Sequence, residues 1–174
     1  KPLGTGTLLA ADMRYKARHR WIKAALEQML ISNKQAAACF IQHQATACTD
    51  ITGFGLAGHL FEMLSPRNIE MELSLIDLPV LDGALETLAQ GIQSSLHQDN
   101  SLVSRDIFNS EAFPNNPRYE LLFDPQTAGG LLASVPGSEA EACIHELREY
   151  GYEQATAIGK VIKTGAELPA LILK

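Results

Sequence analysis

The chain has 174 residues, enough for one domain with a sizeable core. Hydrophobic residues make up 46%, which excludes a disordered chain. The formal charge of −6, from 20 acidic against 14 basic residues, argues against nucleic acid as the main partner, and no apolar run approaches the length of a membrane span.

Pro2 excludes a central helix at the start, and Gly4-Thr5-Gly6 predicts a flexible polar turn, either close to a phosphate or forming an entry strand with a glycine bend. Arg14, Lys16, Arg18, His19 and Arg20 read as a solvated helix start. An apolar stripe at Ile22, Ala25, Leu26, Met29 and Leu30 follows it. Asn33 is placed to cap a second helix running through Ala36, Phe40 and Ile41. Ala47 and Cys48 are small and apolar, fit for a buried strand end. Thr49, Asp50 and Thr52 crowd three oxygen-bearing side chains into a tight turn. Gly53 and Gly55 relax the backbone there, where β-carbons would obstruct it. Leu56, Leu60 and Met63 then share a helix face that ends at Ser65-Pro66.

Ile69, Met71, Leu73 and Leu75 alternate with Glu70, Glu72 and Ser74, a half-buried strand with solvated glutamates. Pro79 introduces a helix with Leu81, Leu85 and Leu88 on one face and Gly91 as its stop. Residues 94–108 are polar. His97, Asp99 and Asn100 cluster there without helical ligand spacing, so a loop is favoured over a metal site. Residues 109–117 form the strongest loop. A strand is expected over 119–123. Asp124-Pro125 ends it, with Asp124 either stabilising the turn or offering a second carboxylate. A strand over 131–135 follows Gly129-Gly130. Ser138 and Glu141 make a capping box for a helix whose core face is Ala140, Cys143, Ile144 and Leu147. Closing strands are expected over 155–162 and 168–173. Such interleaving favours one α+β domain over 1–174, a mixed sheet with helices packed on it.

Cys39, Cys48 and Cys143 form no CxxC pair and lack zinc spacing, so three reduced thiols in a cytoplasmic domain are expected. Cys39 and Cys143 lie in helical apolar patterns suited to core packing, and Cys48 is expected at a buried strand position. No signal peptide opens the chain, which begins at Lys1 without methionine and reads as a fragment or a processed product.

Asp50 stands where a strand passes through a turn into a helix. A carboxylate there suits Mg²⁺, which commonly bridges to substrate phosphates. Asp50 or Thr52 capping the following helix is the commoner arrangement. The glycines match neither the dinucleotide fingerprint nor the Walker A loop.

Thr49-Asp50-Ile51-Thr52-Gly53-Phe54-Gly55-Leu56-Ala57-Gly58-His59-Leu60 closely resembles a signature of the selenophosphate synthetases (selenide, water dikinases). Lys1-Pro2-Leu3-Gly4-Thr5-Gly6 and Asp124-Pro125-Gln126-Thr127-Ala128-Gly129-Gly130-Leu131-Leu132 agree, in the order and rough spacing of that family's C-terminal half. The aminoimidazole ribonucleotide synthetase superfamily, more distant, does not usually combine all three. The resemblance implies a three-layer α/β/α sandwich of the α+β class. It implies synthesis of selenophosphate from selenide, ATP and water, with release of AMP and phosphate. Asp50 matches the metal-binding aspartate of the family's C-terminal domain, so Mg²⁺ is the implied metal and ATP the substrate. Thr52, Gly53 and Gly55 match the turn beside the nucleotide. No catalytic residue is assigned in this chain. The further aspartates, a Lys and the reactive Cys or selenocysteine belong to an N-terminal domain absent from it, and Cys48 does not replace that residue. The full-length enzyme is expected to be a cytoplasmic homodimer. The alternative is a stand-alone ligand-binding module of the same fold that performs no chemistry.

Overall fold

A computed structural model describes residues 1–67, 69–163 and 170–174. The helices are α1 (Thr5–Met13), α2 (His19–Leu30), α3 (Lys34–Gln42), α4 (Gly55–Leu64), α5 (Ala84–Ala89), α6 (His97–Asn100), α7 (Pro117–Glu120) and α8 (Ala140–Glu149). The strands are β1 (Ala47–Asp50), β2 (Glu70–Leu73), β3 (Leu131–Ser134), β4 (Gly159–Lys163) and β5 (Ala170–Leu173). The α+β class with a mixed sheet holds. β2 is the central strand of three, antiparallel to β4 and parallel to β5. β1 and β3 pair separately as an antiparallel ribbon, with Ala47 opposite Ser134 and Asp50 opposite Leu131. A cavity of about 790 Å³ lies between the two sheets, lined among others by Cys48, Leu132, Leu60, Met71 and Ile158.

The alternation over 69–75 is realised in β2, where Met71 and Leu73 are buried. Glu72, expected to be solvated, meets Lys160 at 3.1 Å and Lys174 at 3.4 Å. Leu56, Leu60 and Leu64 of α4 join β2, β5 and a 3₁₀ turn over Leu121–Phe123 in the main core. Cys39 and Cys143 meet in a smaller core between α3 and α8, as their patterns indicate.

Several expectations are corrected. Gly4-Thr5-Gly6 is not a free turn. Leu3 bridges Val80, and α1 begins at Thr5 with Thr5, Thr7, Leu8 and Ala11 buried. An apolar pattern misses this helix because two of its inward residues are threonines. In α2 the buried face is Trp21 and Ala25. Leu26 and Leu30 of the expected stripe are 46% and 86% exposed. Trp21 sets the rotation by packing with Leu8, Leu81 and Ala84, and the Arg18 guanidinium lies 4.8 Å over its ring. Of the basic run, Arg14 and Lys16 precede the helix, Arg18 is its N-cap, and His19 and Arg20 open it.

Asn33 does not cap α3 with its side chain. Its amide donates to Gly129 O at 2.9 Å, and Ser32 Oγ accepts from Lys34 N–H at 3.2 Å. No side chain caps α8, so Ser138 and Glu141 form no capping box. Residues 119–123 are helical. Asn116 accepts from Arg118 N–H at 2.9 Å and Pro117 opens α7 with its φ already set. Leu121, Leu122 and Phe123 are all buried, and a continuous apolar run carries no period to distinguish helix from strand. β4 starts at Gly159, later than expected, and positions 168 and 169 of the last expected strand lie outside the described residues. Among the described residues no helix is long and apolar enough to cross a membrane.

Candidate functional site

The three stretches that stand far apart in sequence meet at one point. Gln126 Oε1 accepts from Gly4 N–H at 3.0 Å, Thr5 N–H at 3.2 Å and Thr5 Oγ1 at 3.1 Å. Thr5 Oγ1 in turn accepts from Thr127 N–H at 2.9 Å. The turn after β1 is tied to the same segment, because Gln126 N–H donates to Thr52 O and Ile51 N–H to Gly130 O, both at 2.9 Å. Gly55 adopts φ +71, open to glycine, and a β-carbon there would lie 2.8 Å from Leu122 O and 3.0 Å from Phe123 C. The space it leaves is therefore filled by the protein's own backbone. Gly53 differs from the expectation: nothing lies within 4 Å of where its β-carbon would stand. Asn100 Nδ2 donates to Gly53 O at 2.8 Å and to Phe123 O at 3.0 Å, so it clamps the turn from outside. The segment 94–108, expected as a loop, instead holds α6 and a 3₁₀ helix over Ser101–Asp106, and its polar residues gave no sign of that duty, because a clamp depends on which backbone folds back beside it.

Asp50 ends β1 and is exposed. It is not a cap. Phe54 is the N-cap of α4, and neither Asp50 nor Thr52 accepts a side-chain hydrogen bond from the N–H groups of the first turn. Among the described residues no cation or hydrogen-bond donor is set against its carboxylate; its backbone carbonyl accepts from Thr49 Oγ1 at 3.4 Å. Thr52 Oγ1 is engaged with buried His59 Nε2 at 3.1 Å, and His59 Nδ1 faces Glu62 at 2.9 Å. In the neutral ring Nδ1 donates to the glutamate and Nε2 accepts from the threonine hydroxyl. Beside the turn lies a shallow cleft of about 250 Å³ lined by Phe54, Gly58, Glu62, Asp99, Asn100 and Val103. His97 is buried on Glu120 at 2.8 Å, apart from exposed Asp99, so that cluster converges on no metal. Cys48, expected to be buried, is exposed, because β1 is short and its paired partner is a single strand.

Asp124 is fully buried beneath the convergence. Oδ1 accepts from Thr7 Oγ1 at 2.7 Å and Oδ2 from Gln126 Nε2 at 2.9 Å. It serves the turn and does not face solvent as a second metal carboxylate. Burial pushes its carboxyl up to about 6, against the pull of the Thr7 and Gln126 hydrogen bonds. A folded-state value above the ordinary one means that the folded chain binds more protons than the unfolded chain between roughly pH 4 and 6. Stability from this group is therefore full at low pH and lost as pH rises through about 6. Relative to Asp124→Asn, the wild type is expected to lose roughly 2 kcal/mol between pH 4 and pH 7. Urea unfolding of both proteins at the two pH values measures it, and a difference that does not change with pH contradicts it.

The α+β architecture and this junction of three segments define a domain class. The family described as "AIR synthase related protein, C-terminal domain" matches residues 4–168, and the chain belongs to it. Within it, the chain is similar to selenide, water dikinases. It is 33% identical over 169 residues to that of Clostridioides difficile, covering 95% of this chain and 47% of the relative. It is 36% identical over 166 residues to that of Agathobacter rectalis, covering 94% and 47%. The chain thus spans about half the length of the curated relatives it matches. Among solved structures, hydrogenase maturation protein HypE shares the fold with TM-score 0.62 and 17% identity, over 92% of this chain and 41% of that one. Thiamine monophosphate kinase from Aquifex aeolicus does so with TM-score 0.52 and 16% identity, over 99% and 47%.

Proposed function

We propose that the chain is the C-terminal half of an ATP-dependent selenophosphate synthetase, which converts selenide, ATP and water to selenophosphate, AMP and phosphate. The observation that carries this reading is Asp50: an exposed carboxylate at the end of β1, beside the junction of the three stretches, with no capping or ion-pairing duty among the described residues. Such a group suits a Mg²⁺ ion that keeps most of its waters and shares its remaining ligands with substrate phosphates. Bound there, the ion would neutralise charge on the polyphosphate. Gly53 leaves the backbone open to a nucleotide, Thr52 turns its hydroxyl to His59 and holds the turn, and Gly55 packs it inward. The remaining metal ligands and the reactive group belong to the other half of the complete enzyme, a cytoplasmic homodimer in this reading.

The test compares the chain with the complete protein. Calorimetric titration of this chain with Mg²⁺-ATP is expected to show weak binding or none, since one carboxylate leaves most of the triphosphate charge uncompensated. AMP release with selenide and reductant is expected from the complete protein and not from this chain. Tight Mg²⁺-ATP binding by the chain alone would mean that this reading puts the main nucleotide site in the wrong half. A complete protein inert to selenide would leave a ligand-binding module.

A further inference from the structure

Cys39 and Cys143 come from different helices, α3 and α8, and their sulfurs lie 3.9 Å apart in a buried contact. His43, four residues after Cys39 and at the C-terminal end of α3, is buried beside them. One ring nitrogen of His43 and the two sulfurs all lie within 4.8 Å of one another. Around this trio stand two carboxylates. Glu139 Oε2 is 2.9 Å from His43 Nδ1 and Glu146 Oε2 is 2.8 Å from His43 Nε2. Tyr150 holds the other oxygen of Glu146 at 2.9 Å. On α8 the spacing of Glu139, Cys143 and Glu146 puts all three on one face, toward α3.

Tetrahedral Zn²⁺ takes thiolate sulfur at about 2.3 Å, which places two sulfurs of one site about 3.8 Å apart. The Cys39–Cys143 separation already has that bite, whereas a disulfide requires about 2.05 Å. Thiol packing alone accounts for the sulfur contact. It does not call for a buried imidazole beside the sulfurs with a partly buried carboxylate on each nitrogen, an arrangement whose desolvation cost makes it a weak source of stability by itself. A carboxylate on a histidine nitrogen is the arrangement that orients histidine toward a metal.

We infer that Cys39, His43 and Cys143, completed by one of the carboxylates of Glu139 and Glu146, form a structural Zn²⁺ site that pins α3 to α8. The other carboxylate stays on the opposite nitrogen of His43. Binding releases the two thiol protons and one ring proton to solvent, and no electron is transferred. Cys143 also lines the cavity between the two sheets, which gives the ion a path other than along the surface. The inference is independent of the selenophosphate reading and concerns the opposite end of β1 and β3 from Asp50.

The experiment uses the metal alone. The purified chain, reduced with a phosphine and stripped by chelator, is titrated with Co²⁺ and then with Zn²⁺. One equivalent of Co²⁺ is expected to produce a thiolate-to-metal charge-transfer band and the visible bands of a tetrahedral ion, and Zn²⁺ is expected to displace it. Cys39→Ser and Cys143→Ser should abolish the charge-transfer band, Cys48→Ser should retain it, and Glu139→Gln or Glu146→Gln should weaken binding by about 10–100-fold. Zn²⁺ should raise the thermal unfolding midpoint of the wild type. A reduced wild-type chain with no charge-transfer band overturns the site, and this outcome needs no variant to fold. A band surviving undiminished in both Cys39→Ser and Cys143→Ser overturns it as well.

Discussion

Asp50→Asn in the complete enzyme is expected to lower turnover by about 10²–10³-fold, the equivalent of about 3–4 kcal/mol of transition-state charge stabilisation by a lost metal ligand. The same substitution should change the unfolding free energy by less than about 0.5 kcal/mol, as surface substitutions away from special features do. The two expectations separate because Asp50 is exposed at the end of β1 and is not the N-cap of α4. Asparagine keeps the size and the hydrogen-bonding oxygen and removes only the charge. Rates of AMP release at saturating Mg²⁺, set beside urea unfolding of the same variant, decide the matter. Wild-type turnover in Asp50→Asn would remove the metal role altogether.

Gly129→Ala should cost about 3 kcal/mol of stability or more, near the upper end of overpacking penalties. A β-carbon at 129 would collide with the Ile51 carbonyl oxygen and lie 3.0 Å from Gln126 Cβ. The obstacle is backbone and cannot swing aside. Ile51 is tied to Gly130 and Thr52 to Gln126 by main-chain hydrogen bonds of 2.9 Å, so relief of the clash breaks the junction of the two segments. Gly137→Ala is the control, since nothing lies within 4 Å of its β-carbon position, and it should stay within about 0.5 kcal/mol of the wild type. Equal unfolding midpoints for the two variants would show that the close approach of residues 51 and 129 is not a constraint on the fold.

Much of the architecture was legible from periodicity. Met71 and Leu73 on one face of β2, Leu56 and Leu60 in α4, and Cys143 and Leu147 in α8 are buried as their spacing indicates. These elements each bury one set of regularly spaced residues in the core and leave others outside it, and the repeat records that. Where the repeat was silent or wrong, packing was two-sided or polar. Leu121, Leu122 and Phe123 are enclosed on every side and form a 3₁₀ turn where a strand was expected. Thr5 and Thr7 face the interior of α1 because Gln126, Thr127 and Asp124 supply their hydrogen bonds from more than a hundred residues away.

The chain's own residues, read in order, determined the α+β class, the position of Asp50 at a strand-to-helix turn, and the resemblance to selenophosphate synthetases through three separated stretches. These are properties of local spacing and residue type. Tertiary structure alone decided that the three stretches form one junction and that Gly55 and Gly129 are filled by neighbouring backbone while Gly53 is open. It also decided that Asp124 is buried while Asp50 is exposed, and that Cys39, His43 and Cys143 converge. Each of those outcomes depends on contacts between residues far apart along the chain, and desolvation and close approach act through space and leave no local repeat.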